Sequence, residues 1–362
     1  MTTVDAALSF NPARDPMRLR RTATLSVLGV GLLAAVVLAL GVGAVAISPL
    51  QVVAILLDRI GIDIGVSFET YQQAALLSVR LPRILLGLAS GATLGIAGAS
   101  LQALFRNPLA DPTLIGVSGG AACGAVAWIV FGGFGLGMSL GGWGLPFIAF
   151  ATSVLATAGV MIGARGEGRL DVATLLLSGL AMNALTAAIL GYIIYLATES
   201  QVRALTFWML GSLGGATWDS IVPAITLMGL GIVALVPLAR PYDALALGEA
   251  EAGHLGVPVE RVKLVTVLAV ALGVGASTAL TGVIGFVGLV APHIVRLIGG
   301  SDHRFVIPGS ALLGALIITL SDVIARTLVA PAELPIGVVT SAIGAPFFFW
   351  LLRYRTHQAV HR

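Results

Sequence analysis

The sequence predicts an all-α polytopic membrane protein, and three observations carry that prediction. First, its 362 residues are 57% apolar and 10% charged, with a mean hydropathy of +1.01, whereas a soluble domain carries roughly 25% charged residues. Second, ten stretches meet or approach the ~20 apolar residues needed to cross about 30 Å of hydrocarbon: 24–47, 82–104, 113–132, 145–164, 172–196, 220–239, 264–281, 283–298, 307–329 and 335–352. Third, none shows the period-two alternation of barrel strands. This composition excludes a soluble enzyme, a disordered regulator and a nucleic-acid binder. The pI near 9.4 rests on a net charge of only +3. Cys123 is the single cysteine, so no disulfide framework or metal–thiolate site arises.

The elements follow in order. Residues 1–22 form a polar tail ending in Arg18, Arg20 and Arg21. A secretory signal cleaved near Ala44-Val45-Ala46 competes with a first span, but the apolar run from Ala23 to Val42 exceeds a 7–15-residue signal core. The membrane region covers 23–356, and 357–362 is a second tail. The second span opens on Arg80-Leu-Pro-Arg83, with proline near the first helical turn. Glycine stripes such as Gly87 to Gly95 read as helix-packing faces. The eighth span is short and almost joined to the seventh at Thr281-Gly282, so nine or eleven spans fit as well. If the amino terminus is cytoplasmic, fifteen of the 20 basic residues lie inside; Arg59, Arg80, Arg83, Arg203 and Arg326 lie outside. That asymmetry follows the positive-inside rule and places both termini in the cytoplasm.

Several chemistries are missing. Lys263 is the only lysine and sits in Arg261-Val-Lys-Leu264, so the chain has no Gly-x-x-x-x-Gly-Lys-Ser/Thr phosphate loop. Ser/His/Asp catalysis is unsupported, since serines in membrane helices usually serve packing or hydrogen bonding. His357 and His361 share a spacing of four but lie in the basic tail, and no metal site is expected. The chain does not read as an enzyme.

Polarity concentrates in three places. Arg80 and Arg83 sit at the expected start of a helix, the positive end of its dipole, on the side where basic residues are scarce. Either an anionic partner offsets this or the side chains snorkel. Asp322 and Arg326 are four apart, acid first, which is the favourable intrahelical order. They serve either as an internal ion pair or as charges facing a water-filled path. The longest cytoplasmic loop, about 240–263, should hold a helix capped by Asp243, running through Glu249 to Leu255 and stopped by Gly256. Pro258 should then open a second turn. Two short helices at the membrane face make a docking shape.

Taken in order, these strings resemble the FecCD-type permeases of ABC importers for ferric siderophores, haem and cobalamin. The resemblance runs from Arg80 to Leu352. It includes Arg80-Leu-Pro-Arg83, Gly98-Ala-Ser-Leu-Gln102, Arg106-Asn107-Pro108-Leu-Ala-Asp111-Pro112 and Leu114-Ile-Gly116-Val-Ser118-Gly-Gly120. It continues with Gly248-Glu249 to Leu255-Gly256, Gly285-Phe-Val-Gly288-Leu-Val-Ala-Pro292-His293, Asp322 to Arg326, Glu333-Leu-Pro335-Ile-Gly337 and Gly344-Ala-Pro346. The resemblance implies the type II ABC importer permease fold with ten helices per subunit. It also implies a second permease copy (a homodimer), two cytoplasmic ATPase subunits that bind ATP and Mg, and a periplasmic or lipid-anchored substrate-binding protein. No cofactor is implied for this chain itself, and the membrane would be the bacterial cytoplasmic (inner) membrane.

By the same resemblance Arg80, Arg83 and Arg326 look like the outer arginines that meet acidic residues of the binding protein. Glu249, Ala252, Gly253, His254, Leu255 and Gly256 look like the helix that couples to the ATPase. The segment from Thr206 to Trp218, with Leu104-Phe-Arg-Asn107, looks closest to the haem branch, and a pathway with few charges suits a flat apolar macrocycle. Ferric siderophore and cobalamin are the alternatives. A reading from another class is an ion-coupled secondary transporter with Asp322 as the coupling carboxylate.

Overall fold

The computed structural model describes residues 16–43, 45–132, 143–166 and 169–360. Most of the expected amino-terminal tail, Ala44 and the last two residues, His361 and Arg362, lie outside the described residues. The elements in chain order are α1 (Pro16–Gly41), α2 (Pro49–Asp58), α3 (Thr70–Leu104), α4 (Val117–Phe131) and α5 (Gly144–Gly163). Then come α6 (Val172–Leu196), α7 (Glu199–Met209), α8 (Trp218–Leu235), α9 (Ala239–Leu245) and α10 (Glu249–His254). The last four are α11 (Val259–Thr281), α12 (Val287–Gly299), α13 (His303–Thr327) and α14 (Ile336–Val360). A two-residue hairpin pairs Arg165–Gly166 with Arg169–Leu170. Each expected span coincides with a helix. Among the described residues seven helices are long and apolar enough to cross a membrane, while Val117–Phe131, Val287–Gly299 and Ile336–Phe349 are shorter.

The boundaries differ where polar capping outweighs apolar length. The first span ends at Gly41, not 47, and Ser48 starts the unexpected α2. The Ser48 hydroxyl accepts from Gln51 N at 3.3 Å, the Gln51 side chain accepts from Ser48 N at 3.0 Å, and Pro49 takes the first turn, a capping box. Helix α3 begins at Thr70, well before residue 82, because Gln72 caps the Glu69 amide at 3.0 Å. Helix α1 already includes Arg18, Arg20 and Arg21, and α14 runs to Val360 into the expected carboxy-terminal tail.

Helices α3 and α11 are buried over most of their length, whereas α1 and α6 are largely uncovered. The α3–α13 contact is backbone to backbone. A Cβ at Gly95 would overlap the Ser310 carbonyl, and one at Gly98 would overlap the Gly288 carbonyl of α12. Small residues thus let helices approach where lipid gives little hydrophobic drive for association.

Two ends of the bundle are defined by cross-links. At one end Arg326, late in α13, donates to the Ala39 and Val42 carbonyls at the end of α1. At the other, Arg21 of α1 pairs with Asp302 at 2.8 Å, and the His303 amide donates to Asp243 of α9 at 2.9 Å. The expected capping role of Asp243 is corrected by that contact: Asp243 lies inside α9 and caps the start of α13 instead. The helix expected from Asp243 to Leu255 is broken between Leu245 and Glu249, where Gly248 takes φ 136°. Gly256, at φ 83°, does stop α10, and Pro258 precedes α11 as expected.

Candidate functional site

The α1-terminal end gathers the arginines that the sequence singles out. A π-helical stretch, Ala75–Arg80, sits within α3; such insertions disturb the i→i−4 ladder and recur at functional sites. There the Leu77 carbonyl accepts from the Trp218 indole N–H at 2.9 Å. Arg80 is buried and donates to the carbonyls of Leu40, Gly41 and Val45. Arg83 donates through Nε to Asp322 Oδ1 at 2.8 Å and through Nη1 to Glu333 Oε1 at 2.9 Å. Arg326 Nε lies 3.1 Å from Asp322 Oδ2, so Asp322 holds two guanidiniums.

Because α3 starts at Thr70, Arg80 and Arg83 lie well inside the helix and not at the positive end of its dipole. Arg80 and Arg326 instead meet the last carbonyls of α1, the groups a helix end leaves unpaired and the end of its dipole that attracts cations. Three guanidiniums against the carboxylates of Asp322 and Glu333 leave one positive charge. The three arginines and Glu333 line a cleft of about 350 Å³. Asp322 and Arg326 form an ion pair within α13, and Arg326 also lines the cleft. The arginines form a cleft wall and are not freely extended surface charges.

The opposite end carries the loop elements. Ala252 of α10 is fully buried, while Gly253, His254 and Leu255 are exposed. A Cβ at Gly253 would meet nothing within 4 Å. Lys263, unassigned by sequence reasoning except as proof of a missing phosphate loop, proves central. It is 3% exposed and its Nζ donates to the Leu170 carbonyl at 2.7 Å, Glu249 Oε2 at 2.6 Å and Glu260 Oε1 at 3.1 Å. Glu260 Oε2 in turn accepts from the Leu170 amide at 2.9 Å. One ammonium therefore ties α10, α11 and the hairpin before α6, along a cleft of about 780 Å³. Its isolation as the only lysine in an apolar chain was the signal available in the sequence.

The remaining family-motif residues are structural in the contacts they make. Gln102 donates to the Gly288 carbonyl at 3.1 Å and accepts from Arg296, joining α3 to α12. Asn107 Oδ1 caps the Leu109 amide at 2.9 Å around Pro108. Asp111 caps the turn that starts at Pro112, accepting from Thr113 N at 3.0 Å. Pro292 is buried within α12, and the buried His293 ring packs edge-on to Phe347, 6.2 Å between centroids. Past Pro335, the amides of Ile336 and Gly337 donate to the Gly211 and Leu210 carbonyls at 2.9 and 3.0 Å. This seats the start of α14 on the end of α7.

Asp322 and Lys263 give separable expectations. Asp322→Asn leaves two buried guanidiniums short of charge and costs on the order of 3–5 kcal/mol; Glu333→Gln, at the exposed rim, costs about 1 kcal/mol or less. Thermal unfolding of the detergent-solubilised chain checks the contrast. Lys263→Met removes charge-assisted bonds, so amide exchange at residues 249–254 should rise about tenfold, with Lys263→Arg closer to the parent. Unchanged exchange in the methionine variant contradicts the tie.

The comparisons with known proteins fit this architecture. The FecCD transport family model matches residues 31–354. The chain is 42% identical over 282 residues to the hemin transport system permease protein HmuU of Yersinia pestis, covering 78% of this chain and 84% of that one. It is 41% identical over 333 residues to the vitamin B12 import system permease protein BtuC of Citrobacter koseri, covering 92% and 94%. A solved structure described as an inward-facing metal-chelate type ABC transporter superposes with a TM-score of 0.79 at 31% identity, over 91% of this chain and 98% of that one. The chain is therefore a membrane-spanning transport permease that belongs to the FecCD family.

Proposed function

We propose that this chain is the gate of an ATP-binding-cassette importer for an iron complex, haem foremost, in the bacterial cytoplasmic membrane. Separate ATPase subunits would work it from the α10 end, and a substrate-binding protein would feed it at the arginine end. The carrying observation is α10 itself. A short helix is anchored inward by Ala252 and Lys263, and it presents Gly253, His254 and Leu255 to an outside partner. A small outward residue beside an exposed leucine (66% exposed at Leu255) suits a partner cleft that closes on the helix. ATP binding in that partner would then bias two arrangements of the permease. Both termini and α10 are assigned to the cytoplasm, in keeping with the distribution of basic residues.

At the other end, the residual positive charge of the Arg80–Arg83–Arg326 cleft favours an acidic group on the binding protein. Contacts of this kind set encounter rate and register more than affinity. A second copy of the chain would complete the pathway. Haem as cargo is supported by the resemblance of the 206–218 segment to the haem branch and by the hemin permease relative. Cobalamin is the second reading, since the B12 permease relative is similar over a larger share of both chains.

A Gly253→Phe variant tests the coupling role, because a Cβ at this exposed position meets nothing within 4 Å. Reconstituted with its ATPase and binding protein, it should lose at least about tenfold in uptake while unfolding at the parent temperature. Parent-level uptake contradicts the assignment. Running the parent complex with haem, cobalamin and a ferric siderophore decides the cargo: uptake of haem alone is expected, and uptake of cobalamin alone overturns it.

A further inference from the structure

We propose that the cleft between α1 and α13, at the same end as α10, binds the phosphate headgroup of an anionic phospholipid. Arg18 and Arg21 of α1 face Asp302 and Arg304 at the start of α13 across a cavity of about 400 Å³, floored by Leu25 and Phe305. Arg18 and Arg21 are three apart and so share one face of α1. Arg21 is the fixed member. Its Nε donates to the Gly299 carbonyl at 2.8 Å, its Nη1 pairs with Asp302 at 2.8 Å, and its guanidinium lies 5.8 Å from the Phe305 ring centroid. Arg304 meets Asp302 through Nε and Nη2, both at 3.1 Å, yet its side chain is 62% exposed.

The balance of charge favours an anion. Although partial burial opposes it, hydrogen bonds from Arg304 and the charges of Arg304 and Arg21 hold the Asp302 carboxyl below the usual range, so it remains ionised and cancels one cation. Three arginines less one carboxylate leave two positive charges around the cavity. Each guanidinium carries five N–H donors, and Arg21 and Arg304 each direct only two of theirs into the hydrogen bonds given above. The position favours a lipid. Immediately beyond Leu25, α1 exposes Val27, Val30, Leu33 and Val37, so the cleft lies where this helix passes from water into hydrocarbon. Basic pockets between transmembrane helices at that level recognise anionic headgroups. A free phosphate offers the same oxygens but has no use for the apolar floor, and a choline headgroup adds a cation that the site repels.

Native mass spectrometry of the full chain in mild detergent, titrated with phosphatidylglycerol, phosphatidylcholine or inorganic phosphate, tests the site. Retention of phosphatidylglycerol should exceed that of phosphatidylcholine. It should fall on the order of tenfold in the Arg18→Gln, Arg304→Gln double variant, which removes two surface cations. Both positions are exposed and the Arg21–Asp302 pair remains, so an unchanged thermal midpoint shows that the fold survives. Equal retention of the two lipids, unaltered retention in the double variant, or binding of inorganic phosphate without preference for the lipid each overturns the proposal.

Discussion

The arginine end of the molecule depends on a single carboxylate. Asp322 sits between Arg83 of α3 and Arg326 of its own helix, with its side chain 4% exposed. In a low-dielectric setting an unpartnered guanidinium is far more costly than a paired one, so both arginines are fixed once Asp322 is in place. Their remaining donors then reach outward: Arg326 to the last carbonyls of α1, Arg83 to Glu333 at the rim. Arg80 closes the same helix end without a carboxylate of its own. The result joins α1, α3 and α13. It also leaves one net positive charge facing a cleft, so a structural requirement and an electrostatic surface come from the same residues.

The opposite end repeats this logic with a cation at the centre. Lys263 is held by two carboxylates and a carbonyl from three segments. A cluster of one ammonium with Glu249 and Glu260 leaves a negative charge beside α10, opposite in sign to the arginine end. Between the two clusters the long helices are packed through glycine and small residues, as at Gly95 and Gly98. Such contacts transmit movement because they are too close to deform gradually. On the function proposed above, a push at α10 would reach the arginine cleft by shifting these helices as bodies.

Much of this was legible in the sequence because hydrocarbon makes a simple demand. Apolar length located every span, and the ordered strings from Arg80 to Pro346 located the family. The misses share a cause: they lie where local hydrogen bonding outweighs apolar length. Helix α2 was signalled by Ser48-Pro49-Leu-Gln51, a capping box that opens an apolar run, 52–57, too short to span a membrane. The polar start of α3, Thr70-Tyr-Gln-Gln, hid ten residues of helix before Arg80 and so misplaced the arginines at a helix end. Asp243 looked like a cap for the residues that follow it, but its partner is His303, sixty positions away. Spacing alone could not foresee that Lys263 would meet Leu170 across 93 residues; only its singularity marked it.

On the function proposed above, this chain is a gate without a motor of its own. The most direct measurement compares vesicles holding the chain alone, under an imposed proton or sodium gradient, with vesicles holding the chain, its ATPase and its binding protein supplied with ATP. Cargo should accumulate only in the second set. Gradient-driven accumulation by the chain alone would overturn that function.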